Sequence, residues 1–401
     1  MDYETAIKNL TSKGRFYIDL GLDRIKKILE ILGNPQDKIS AIQVAGTNGK
    51  GSCCAMLESV LRTAGYKTGL YTSPHIFDYT ERIKVNGQEI SKEEFVKYFV
   101  EVTKVADENE IHLTEFEVLT VIMFKYFADN GVEIAVIETG LGGRLDATNV
   151  LKRNICAVIT HIDFDHTDRL GNTKDEIASE KAGIIKPDSA VVTSEGFEVV
   201  KDKADEVGAL FVLANPCVEP RFADALALKG QNQIENLALV LAVLELKFGN
   251  ISSDVIIKGL KKVKHPCRFE FFPEYNLLVD GAHNPDCMRS LVRNIDDYYY
   301  DKKHRYVFGC LNTKDYKSML EAICEDKNLD EIYVYEFDNP NSAGFEELQA
   351  VTDYPLKRLG AFNDLAIHND TLTIVCGSFY MLKELLGDVI GKVIYTAIPN
   401  D

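Results

Sequence analysis

The chain has 401 residues, of which 46% are hydrophobic and 27% are charged, and its formal net charge is −17 at pH 7. Because this length exceeds one ordinary hydrophobic core, we expect two domains, and the composition is typical of a soluble globular protein. The acidic excess argues against a broad surface for nucleic acid or anionic membrane. An anionic substrate therefore requires local positive charge from lysine, arginine, helix ends or a metal.

The cysteines and the apolar runs indicate the compartment. Nine cysteines are scattered along the chain, and no secretory signal precedes them, so we expect reduced thiols in the cytoplasm. No apolar run reaches the length of a transmembrane helix. These features predict a cytoplasmic protein without a membrane partner.

Strand-like runs alternate with amphipathic, helix-like stretches in two successive series. The first series has strand candidates at Ile39–Val44, Thr68–Tyr71, Glu133–Glu138, Ile155–His161 and Ala190–Thr193, and helix candidates at Lys92–Glu108, Glu115–Asn130 and Ile177–Ile185. The second series begins near Phe271 and has strand candidates at Leu277–Asp280, Arg305–Gly309, Glu331–Glu336 and Thr371–Gly377. This alternation predicts an α/β protein. We expect a P-loop-containing, mostly parallel sheet domain (1–265), a linker (266–270) and a smaller Rossmann-like α/β domain (271–401).

The run Val44–Ser52 (VAGTNGKGS) lies between a predicted strand and a predicted helix. Its glycines let backbone N–H groups approach phosphate oxygens, and the following helix adds its positive end. Lys50 supplies charge for the β- and γ-phosphates, and Ser52 offers a hydroxyl to Mg²⁺. The usual G-x-x-x-x-G-K-[ST] spacing is not met, because Val44 replaces the first glycine and Gly51 separates Lys50 from Ser52. A glycine-rich surface turn is the alternative, but the flanking elements favour a nucleoside triphosphate site.

A carboxylate and a glycine-rich run follow the third predicted strand. Glu138 closes that strand and precedes GLGGRLDATN (140–149). A carboxylate at a strand end beside a phosphate loop is suited to Mg²⁺ or to activation of a reacting group. An ordinary loop carboxylate is the alternative. The glycines are a poor dinucleotide fingerprint, because Leu145 stands in place of its third glycine.

The fourth predicted strand runs into THIDFDHT (160–167). This run crudely resembles the H-x-H-x-D-H metal motif of some hydrolases, with Asp163 in place of the middle histidine. No later histidine stands in a context that would complete such a binuclear site. A single ligating histidine is favoured instead, because imidazole can complete a metal shell of oxygens. A structural histidine is the alternative.

Together these segments resemble the folylpolyglutamate synthase/dihydrofolate synthase family of Mur-ligase-like ATP-dependent amide ligases. The matching pieces are VAGTNGKGS (44–52), TSPHIFDYTERI (72–83), LTEFEVLT (113–120), ETGLGGRLDATNV (138–150), FDHTDRLGNTKDEIASEKAGIIK (164–186), HPCRFE (265–270) and DGAHNP (280–285). They cover nearly the whole chain in the family's order. Mur ligases themselves share the phosphate loop but lack the paired SPH and LGGRLDATN segments.

The resemblance implies a set of ATP, metal and catalytic residues. Its ATP-binding residues are Asn48, Gly49, Lys50, Gly51, Ser52, Asn236, Arg268 and Asp280. Its Mg²⁺ ligands are Ser73, Glu138 and His166, together with Lys181, which in this family is carbamylated and holds a second Mg²⁺. Lys50, Lys181 and His166 are the implied catalytic residues. The family usually has histidine where Asn232 stands, so this chain departs from it there.

Several of these residues also have a structural interpretation. Ser73 can be a turn or helix-cap residue before a proline. Arg268 can be a solvated linker cation, and Asp280 can cap the turn that follows it. Lys181 can be an ordinary helix cation.

The resemblance also implies a pterin site. Its residues are Tyr17, Ile18, Asp19, Leu20, Leu113, Thr114, Glu115, Phe116, Leu145, Asp146 and Ala147. Phe116 can stack on a pterin, or be a core aromatic, and Asp146 can accept hydrogen bonds from pterin amino groups. The family commonly has Tyr or Phe where this chain has Glu115.

One reaction is implied. The γ-phosphoryl group of ATP is transferred to a substrate carboxylate, and the amino group of L-glutamate attacks the acyl phosphate and expels phosphate. A folate γ-carboxylate as acceptor lengthens the glutamate tail, whereas dihydropteroate as acceptor gives dihydrofolate. The matches at Tyr17–Leu20 and Leu145–Ala147 favour a bifunctional enzyme, with folylpolyglutamate synthase activity alone as an alternative.

Two other classes stay open from the residues alone. A metal-dependent nucleotide hydrolase would consume ATP without glutamate or a pterin. A nucleotide-gated interaction module would need no carboxylate, histidine or pterin pocket around its loop. We expect ATP, L-glutamate and a folate or dihydropteroate as partners, no nucleic acid, and a monomer.

Overall fold

The computed structural model describes residues 1–12, 21–365 and 370–387. The chain forms two compact units. The first comprises Met1–Ala227 and Gln233–Lys264, and the second comprises Leu228–Asn232 and the residues from His265 onward. Each unit alternates strands and helices around its own sheet, so the predicted α/β fold is confirmed. Among the described residues, every helix falls short of the length and apolarity that crossing a lipid bilayer requires.

An eight-stranded sheet organises the first unit. Its strands are β1 (Ser40–Ala45), β2 (Thr68–Tyr71), β3 (Ile83–Val85), β4 (Gln88–Glu89), β5 (Ile134–Glu138), β6 (Cys156–Ile159), β7 (Ala190–Thr193) and β8 (Leu210–Leu213). The helices of this part of the chain are α1 (Tyr3–Ser12), α2 (Asp23–Ile31), α3 (Lys50–Thr63), α4 (Lys92–Glu108), α5 (Glu115–Asp129), α6 (Thr167–Leu170), α7 (Lys174–Ala182), α8 (Glu198–Val207), α9 (Pro220–Ala223), α10 (Gln231–Lys247) and α11 (Ser253–Leu260).

The strand order of this sheet is β4-β3-β2-β5-β1-β6-β7-β8. The six strands from β2 to β8 in this order are parallel, and β3 and β4 are antiparallel additions at one edge. β1 is buried from Ala41 to Ala45, as expected for a central parallel strand that is covered on both faces. Because parallel strands end at one edge of a sheet, the loops after β2, β5, β1 and β6 leave from neighbouring positions.

The second unit has a six-stranded sheet of order β13-β12-β11-β14-β10-β9, parallel except for β9. Its strands are β9 (Glu270–Phe272), β10 (Leu277–Val279), β11 (Lys303–Phe308), β12 (Leu329–Val334), β13 (Leu356–Arg358) and β14 (Thr371–Cys376), and its helices are α12 (Pro285–Tyr298), α13 (Tyr316–Cys324), α14 (Phe345–Gln349) and α15 (Phe379–Gly387). The sequence predicted four of these strands and missed the two edge strands. Both edge strands have only three residues, so no apolar periodicity can mark them.

Helix α7 begins at Lys174, whereas the apolar spacing predicted a helix over Ile177–Ile185. Thr173 and Glu176 form a capping box, in which each side chain accepts a hydrogen bond from the other residue's backbone N–H, both at 3.2 Å. Such a box satisfies two unpaired helix donors and starts the helix before its first apolar residue. The apolar pattern therefore placed the start too late.

Candidate active site

The predicted phosphate loop leaves the end of β1 and leads directly into α3. The backbone N–H groups of Thr47 and Asn48 donate to the carbonyl oxygen of His161 at 2.8 and 3.4 Å. Thr160 donates its hydroxyl to the Asn48 carbonyl oxygen at 2.7 Å. The segment that follows β6 therefore supports the loop.

Two positions of this loop have no room for a side chain. A Cβ atom at Gly46 would overlap the Oγ1 of Thr160, and one at Gly49 would overlap the amide oxygen of Asn236. Gly49 also has a φ of 91°, which favours glycine. Asn236, the expected adenine or ribose contact, is 5% exposed and lies against the loop backbone. A nucleotide contact would use an amide that already supports the loop.

Lys50 is the first residue of α3. Its Nζ donates to the carbonyl oxygens of Gly46 and Thr47, both at 3.0 Å. Gly51 and Ser52 follow in the first turn and are buried. The first N–H groups of a helix lack intrahelical acceptors, and its dipole places partial positive charge there. The loop therefore presents an ammonium group and a helix N-terminus, which together form a binding site for phosphate.

Four neighbouring strands bring the predicted metal and phosphate residues to one edge of the sheet. Ser73 follows β2, Glu138 ends β5, the phosphate loop follows β1, and His166 follows β6. Parallel neighbours are about 4.8 Å apart, so these four strand ends span about 15 Å. The carboxylate, hydroxyl and imidazole are donors that Mg²⁺ accepts in proteins, so this set fits a divalent cation.

Glu138 and Ser73 are in direct contact. The Ser73 backbone N–H donates to the Glu138 carboxylate at 2.9 Å, and Glu138 is 4% exposed. Cys53 and Cys54 are buried in α3, where burial and then the charge of Glu138 raise the pKa of both thiols. These cysteines are therefore protonated at neutral pH, and the reaction at this edge cannot use them as thiolate nucleophiles.

The two histidines after β6 face different carboxylates. His161 pairs through Nδ1 with Glu195, which follows β7. His166 caps α6 at φ 50°, is exposed, and has its Nε2 3.8 Å from the Asp165 carboxylate. The two imidazoles are therefore held by different acidic neighbours.

Lys181 lies in the last turn of α7 and is 2% exposed. Burial, and then the positive charge of Lys50, lower the pKa of the Lys181 ammonium to about 7, while the Asp165 carboxylate opposes this shift. Much of this side chain is consequently an uncharged amine at neutral pH. An uncharged amine is a nucleophile, which an ordinary surface lysine is not.

The glycine-rich loop after β5 packs directly against this turn of α7. The Arg144 backbone N–H donates to the Glu180 carbonyl oxygen at 2.7 Å, and the two side chains form an ion pair at 2.7 Å. A Cβ atom at Gly143 would lie 2.8 Å from the carbonyl oxygens of Glu180 and Lys181. Close backbone packing therefore joins the loop to the Lys181 turn.

Asp146 has a different environment from the one expected. Its buried carboxylate accepts hydrogen bonds from the N–H groups of Gly140, Leu141 and Thr148 and from the Thr148 hydroxyl. These four donors match the four acceptor positions of a carboxylate. Asp146 therefore organises its own loop, and a pterin amino group would have to replace one of these donors.

Four of the other expected pterin residues lie at the N-terminus of α5: Leu113, Thr114, Glu115 and Phe116. The Phe116 ring lies over Gly140, where a Cβ atom would be 2.5 Å from the ring, and 6.0 Å from the Tyr71 ring. Glu115 is buried and accepts a hydrogen bond from the Tyr79 hydroxyl at 2.8 Å. Thr114 caps the helix, Leu113 and Ala147 are buried, and Leu145 is partly exposed. Tyr17, Ile18, Asp19 and Leu20 lie outside the described residues.

Arg268 and Asp280 are neighbours in the second unit. Burial raises the pKa of the Asp280 carboxyl, and the Arg268 charge opposes this shift. Asp280 accepts from the N–H groups of Phe269 and Ala282 at 2.7 and 2.8 Å, and Arg268 lies over the Phe379 ring at 4.8 Å. Arg268 is thus partly exposed and packs over an aromatic ring.

Sequence reasoning missed three supporting residues. Thr160 and Glu195 lie just beyond the ends of β6 and β7, so their strand-end positions are a signal that could have found them. Tyr79 follows a short loop, and no local sequence pattern marks it. Its hydrogen bond to Glu115 is what shows that it lies beside the expected pterin residues.

Two family models match the two parts of the chain. Residues 44–212 match the Mur ligase middle domain, and residues 267–372 match the Mur ligase glutamate ligase domain. The first match begins with the phosphate loop and includes the strand ends described above. The fold and the site therefore define an ATP-dependent ligase of the Mur-ligase type.

Individual relatives define the family more narrowly. The chain is 32% identical over 424 residues to the dihydrofolate synthase/folylpolyglutamate synthase of Bacillus subtilis, which covers 96% of this chain and 98% of that protein. E. coli FolC in complex with DHPP and ADP superposes with a TM-score of 0.85 at 28% identity, over 98% of both chains. The Yersinia pestis bifunctional folylpolyglutamate synthase/dihydrofolate synthase complexed with AMPPNP and Mn ion also superposes with a TM-score of 0.85. Its sequence identity is 29%, and the match covers 97% of this chain and 98% of that chain. The chain belongs to the folylpolyglutamate synthase/dihydrofolate synthase family, as its motifs predicted.

Proposed function

We propose that this enzyme joins L-glutamate to the γ-carboxylate of a folate and to the carboxylate of dihydropteroate, with ATP as cosubstrate. The observation that carries this proposal is the edge of the first sheet, where a phosphate loop and a donor set that fits Mg²⁺ follow neighbouring strands and the Phe116 ring lies over Gly140, just after β5. A simple ATP-binding protein needs only the first of these. The names and ligands of the related enzymes support the same substrates.

The chain's own residues have distinct tasks in this reaction. Lys50 and the loop N–H groups of Gly49 and Gly51 bind the phosphates of ATP and stabilise negative charge on the transferring phosphoryl group. Ser73, Glu138 and His166 would hold a Mg²⁺ ion, which supplies further positive charge to the phosphoryl group and to the incoming carboxylate. The Asn236 amide packs against Gly49 and supports the phosphate loop.

We further propose that Lys181 is carbamylated and holds a second Mg²⁺. Its uncharged amine would attack the carbon of CO₂, form an N–C bond and release one proton, which leaves a carboxylate-like anion. A pKa near 7 supports this step, because the amine needs no strong base. The new anion would also offset the positive charge of Lys50.

A dissection of ADP release tests the function. Dihydropteroate, tetrahydrofolate and L-glutamate are added singly and in pairs to enzyme with ATP and Mg²⁺. We expect ADP only when glutamate is present with either acceptor. ADP release without glutamate would favour the hydrolase alternative, and release with tetrahydrofolate alone as acceptor would restrict the enzyme to folylpolyglutamate synthase activity.

We also propose that the enzyme is a cytoplasmic monomer. The structure describes its nine cysteines as thiols rather than disulfides, which is the usual state in a reducing compartment. Light scattering of the purified protein tests the monomer, and a dimer mass would contradict it.

A further inference from the structure

Thr47, in the phosphate loop, makes a reciprocal pair of hydrogen bonds that the reaction described so far does not use. Its hydroxyl donates to the Asp163 carbonyl oxygen at 2.9 Å, and the Asp163 backbone N–H donates to Oγ1 of Thr47 at 3.1 Å. Asp163 follows β6 in the first unit, 116 residues further along the chain. One side chain therefore binds both backbone groups of a residue in the segment beside the loop.

Three further hydrogen bonds between the loop and this segment lie closer to the end of β6. The N–H groups of Thr47 and Asn48 donate to the His161 carbonyl oxygen, and the Thr160 hydroxyl donates to the Asn48 carbonyl oxygen. These bonds hold the loop without the Thr47 hydroxyl. Of the contacts named here, the one that the hydroxyl makes lies nearest in the chain to His166, the expected metal ligand.

Asp163 is also held from its other side. Its carboxylate forms an ion pair at 3.0 Å with Lys174, the first residue of α7, and Lys181 lies in the last turn of the same helix. His166 has a φ of 50°, which is uncommon for a residue other than glycine and persists only where the surrounding structure holds the backbone. The segment that carries His166 is therefore fixed in one conformation beside the phosphate loop.

We propose that Thr47 is a positioning residue that keeps the phosphate loop in register with the His166 segment, so that ATP and Mg²⁺ strengthen each other's binding. The loop holds the phosphates on one side of the contact between Thr47 and Asp163, and His166 lies on the other side. Without the hydroxyl, each side could still bind its own ligand, but the two would no longer be held in a fixed relative position. The proposal rests on the ATP and Mg²⁺ binding in the proposed function.

Thr47→Val removes the hydroxyl and keeps the branched shape of the side chain. The measurement is the Kd for ATP by calorimetry, once with Mg²⁺ and once with a chelator instead, without folate or glutamate. The ratio of the Kd without Mg²⁺ to the Kd with Mg²⁺ reports the coupling between metal and nucleotide. We expect this ratio to fall about tenfold, as for two lost hydrogen bonds. The Kd in chelator should stay near that of the wild type, because the three other hydrogen bonds still hold the loop.

Two further variants at the same position test the hydroxyl itself. Thr47→Ser keeps the hydroxyl and should restore the wild-type ratio. Thr47→Cys has a weaker donor and acceptor and should give an intermediate ratio, which tests the proposal even where Thr47→Val fails to fold. Thr103→Val is the matched control, because the Thr103 hydroxyl also donates to a backbone carbonyl oxygen, that of Phe99 at 2.7 Å within α4. It should leave the ratio unchanged.

A double variant identifies what the hydroxyl positions. In His166→Ala, Thr47→Val should cause no further fall in the ratio, and a further fall would overturn the proposal. A wild-type ratio in Thr47→Val and Thr47→Cys would overturn it too, as would equal rises of the Kd with and without Mg²⁺, because Thr47 would then only shape the phosphate loop. A wild type whose ATP affinity is independent of Mg²⁺ would contradict this inference and the proposed metal site together. Failure of the ADP-release assay alongside the expected ratios would contradict the proposed function alone.

Discussion

At the scale of single residues, Lys50 has contacts that suggest a function rather than a role in folding. Among the described residues, its ammonium group donates to two carbonyl oxygens, both in its own loop. Lys50→Ala should therefore keep the fold but lose about 3 kcal/mol or more of transition-state stabilisation, as expected for a preorganised phosphate contact. The measurement is kcat/KM for glutamate-dependent ADP release alongside a melting curve. Lys152→Ala, at an exposed lysine, is the control and should have full activity. Near-wild-type turnover in Lys50→Ala would contradict the assignment.

Lys181 offers a chemical test, because arginine is a basic side chain of similar length but stays charged and cannot form a carbamate. We expect Lys181→Arg and Lys181→Ala to be severely impaired, and a short carboxylate to restore part of the activity of Lys181→Ala. Carbon-13 NMR of the wild type in labelled bicarbonate should show a carbamate signal that both variants lack. A wild-type spectrum without this signal, from active enzyme, would exclude the modification.

The sequence indicates candidate site residues better than it describes their surroundings. Glu138 and Lys50 stand out as candidates because a strand end and the glycines of the phosphate loop mark them locally. The four donors around Asp146 come from its own loop, but their convergence depends on a backbone path that residue types do not encode. The same holds for Asn236, which reaches the phosphate loop from a distant helix.

At the scale of elements, the contact between the glycine-rich loop after β5 and the end of α7 predicts how two glycine substitutions change stability. A Cβ atom at Gly183 would overlap the Arg144 backbone, whereas one at Gly196 would meet nothing within 4 Å. Neither glycine has a positive φ. Gly183→Ala should cost about 1–3 kcal/mol through overpacking, and Gly196→Ala should be neutral or slightly stabilising. Denaturant unfolding of the two variants compares them, and equal midpoints would contradict close packing at this contact.

A buried ion pair joins β11 to the turn before β12 in the second unit. Nδ1 of His304 lies 2.8 Å from the Asp326 carboxylate, and its Nε2 lies 3.0 Å from the Tyr299 carbonyl oxygen. Burial alone would lower the pKa of His304, but these two acceptors outweigh it and raise the pKa. Burial alone would raise the pKa of Asp326, but its hydrogen bonds with His304 and with the Tyr306 hydroxyl outweigh burial and lower the pKa.

The sign of the pH dependence follows from these shifts. The His304 contribution to stability is complete below about pH 6.5 and is lost as pH rises through the raised pKa. The Asp326 contribution is complete above about pH 3.9 and is lost as pH falls through the lowered pKa. The melting temperature of His304→Gln should therefore differ most from the wild type between about pH 4 and 6.5, and the difference should shrink towards pH 9. A constant difference from pH 5.5 to pH 9 would contradict the ion pair.

At the scale of the whole molecule, alternation of strands and helices was enough to predict the α/β class. Central strands such as β1 and β5 are continuous apolar runs because both faces of the sheet are covered, so hydrophobicity marks them clearly. Edge strands carry a weaker signal. β8 was missed because it is only partly buried, unlike the equally short strands β2, β6 and β7. Strand order could not be predicted either, since it depends on crossovers rather than on local sequence.

The shape of the phosphate loop depends on two residues that lie outside the nonapeptide VAGTNGKGS, namely Thr160 and Asn236. Thr160 and Asn236 fill the space that side chains at Gly46 and Gly49 would need, although they are more than a hundred residues away in the chain. The nonapeptide therefore holds its conformation only together with these two distant residues. Transplanted into a foreign strand–helix turn, VAGTNGKGS would lose its shape unless the new host also supplied a hydroxyl and an amide beneath it. A match to the nonapeptide alone would indicate a glycine-rich turn, whereas a match that also includes Thr160 and Asn236 would indicate a loop of this shape.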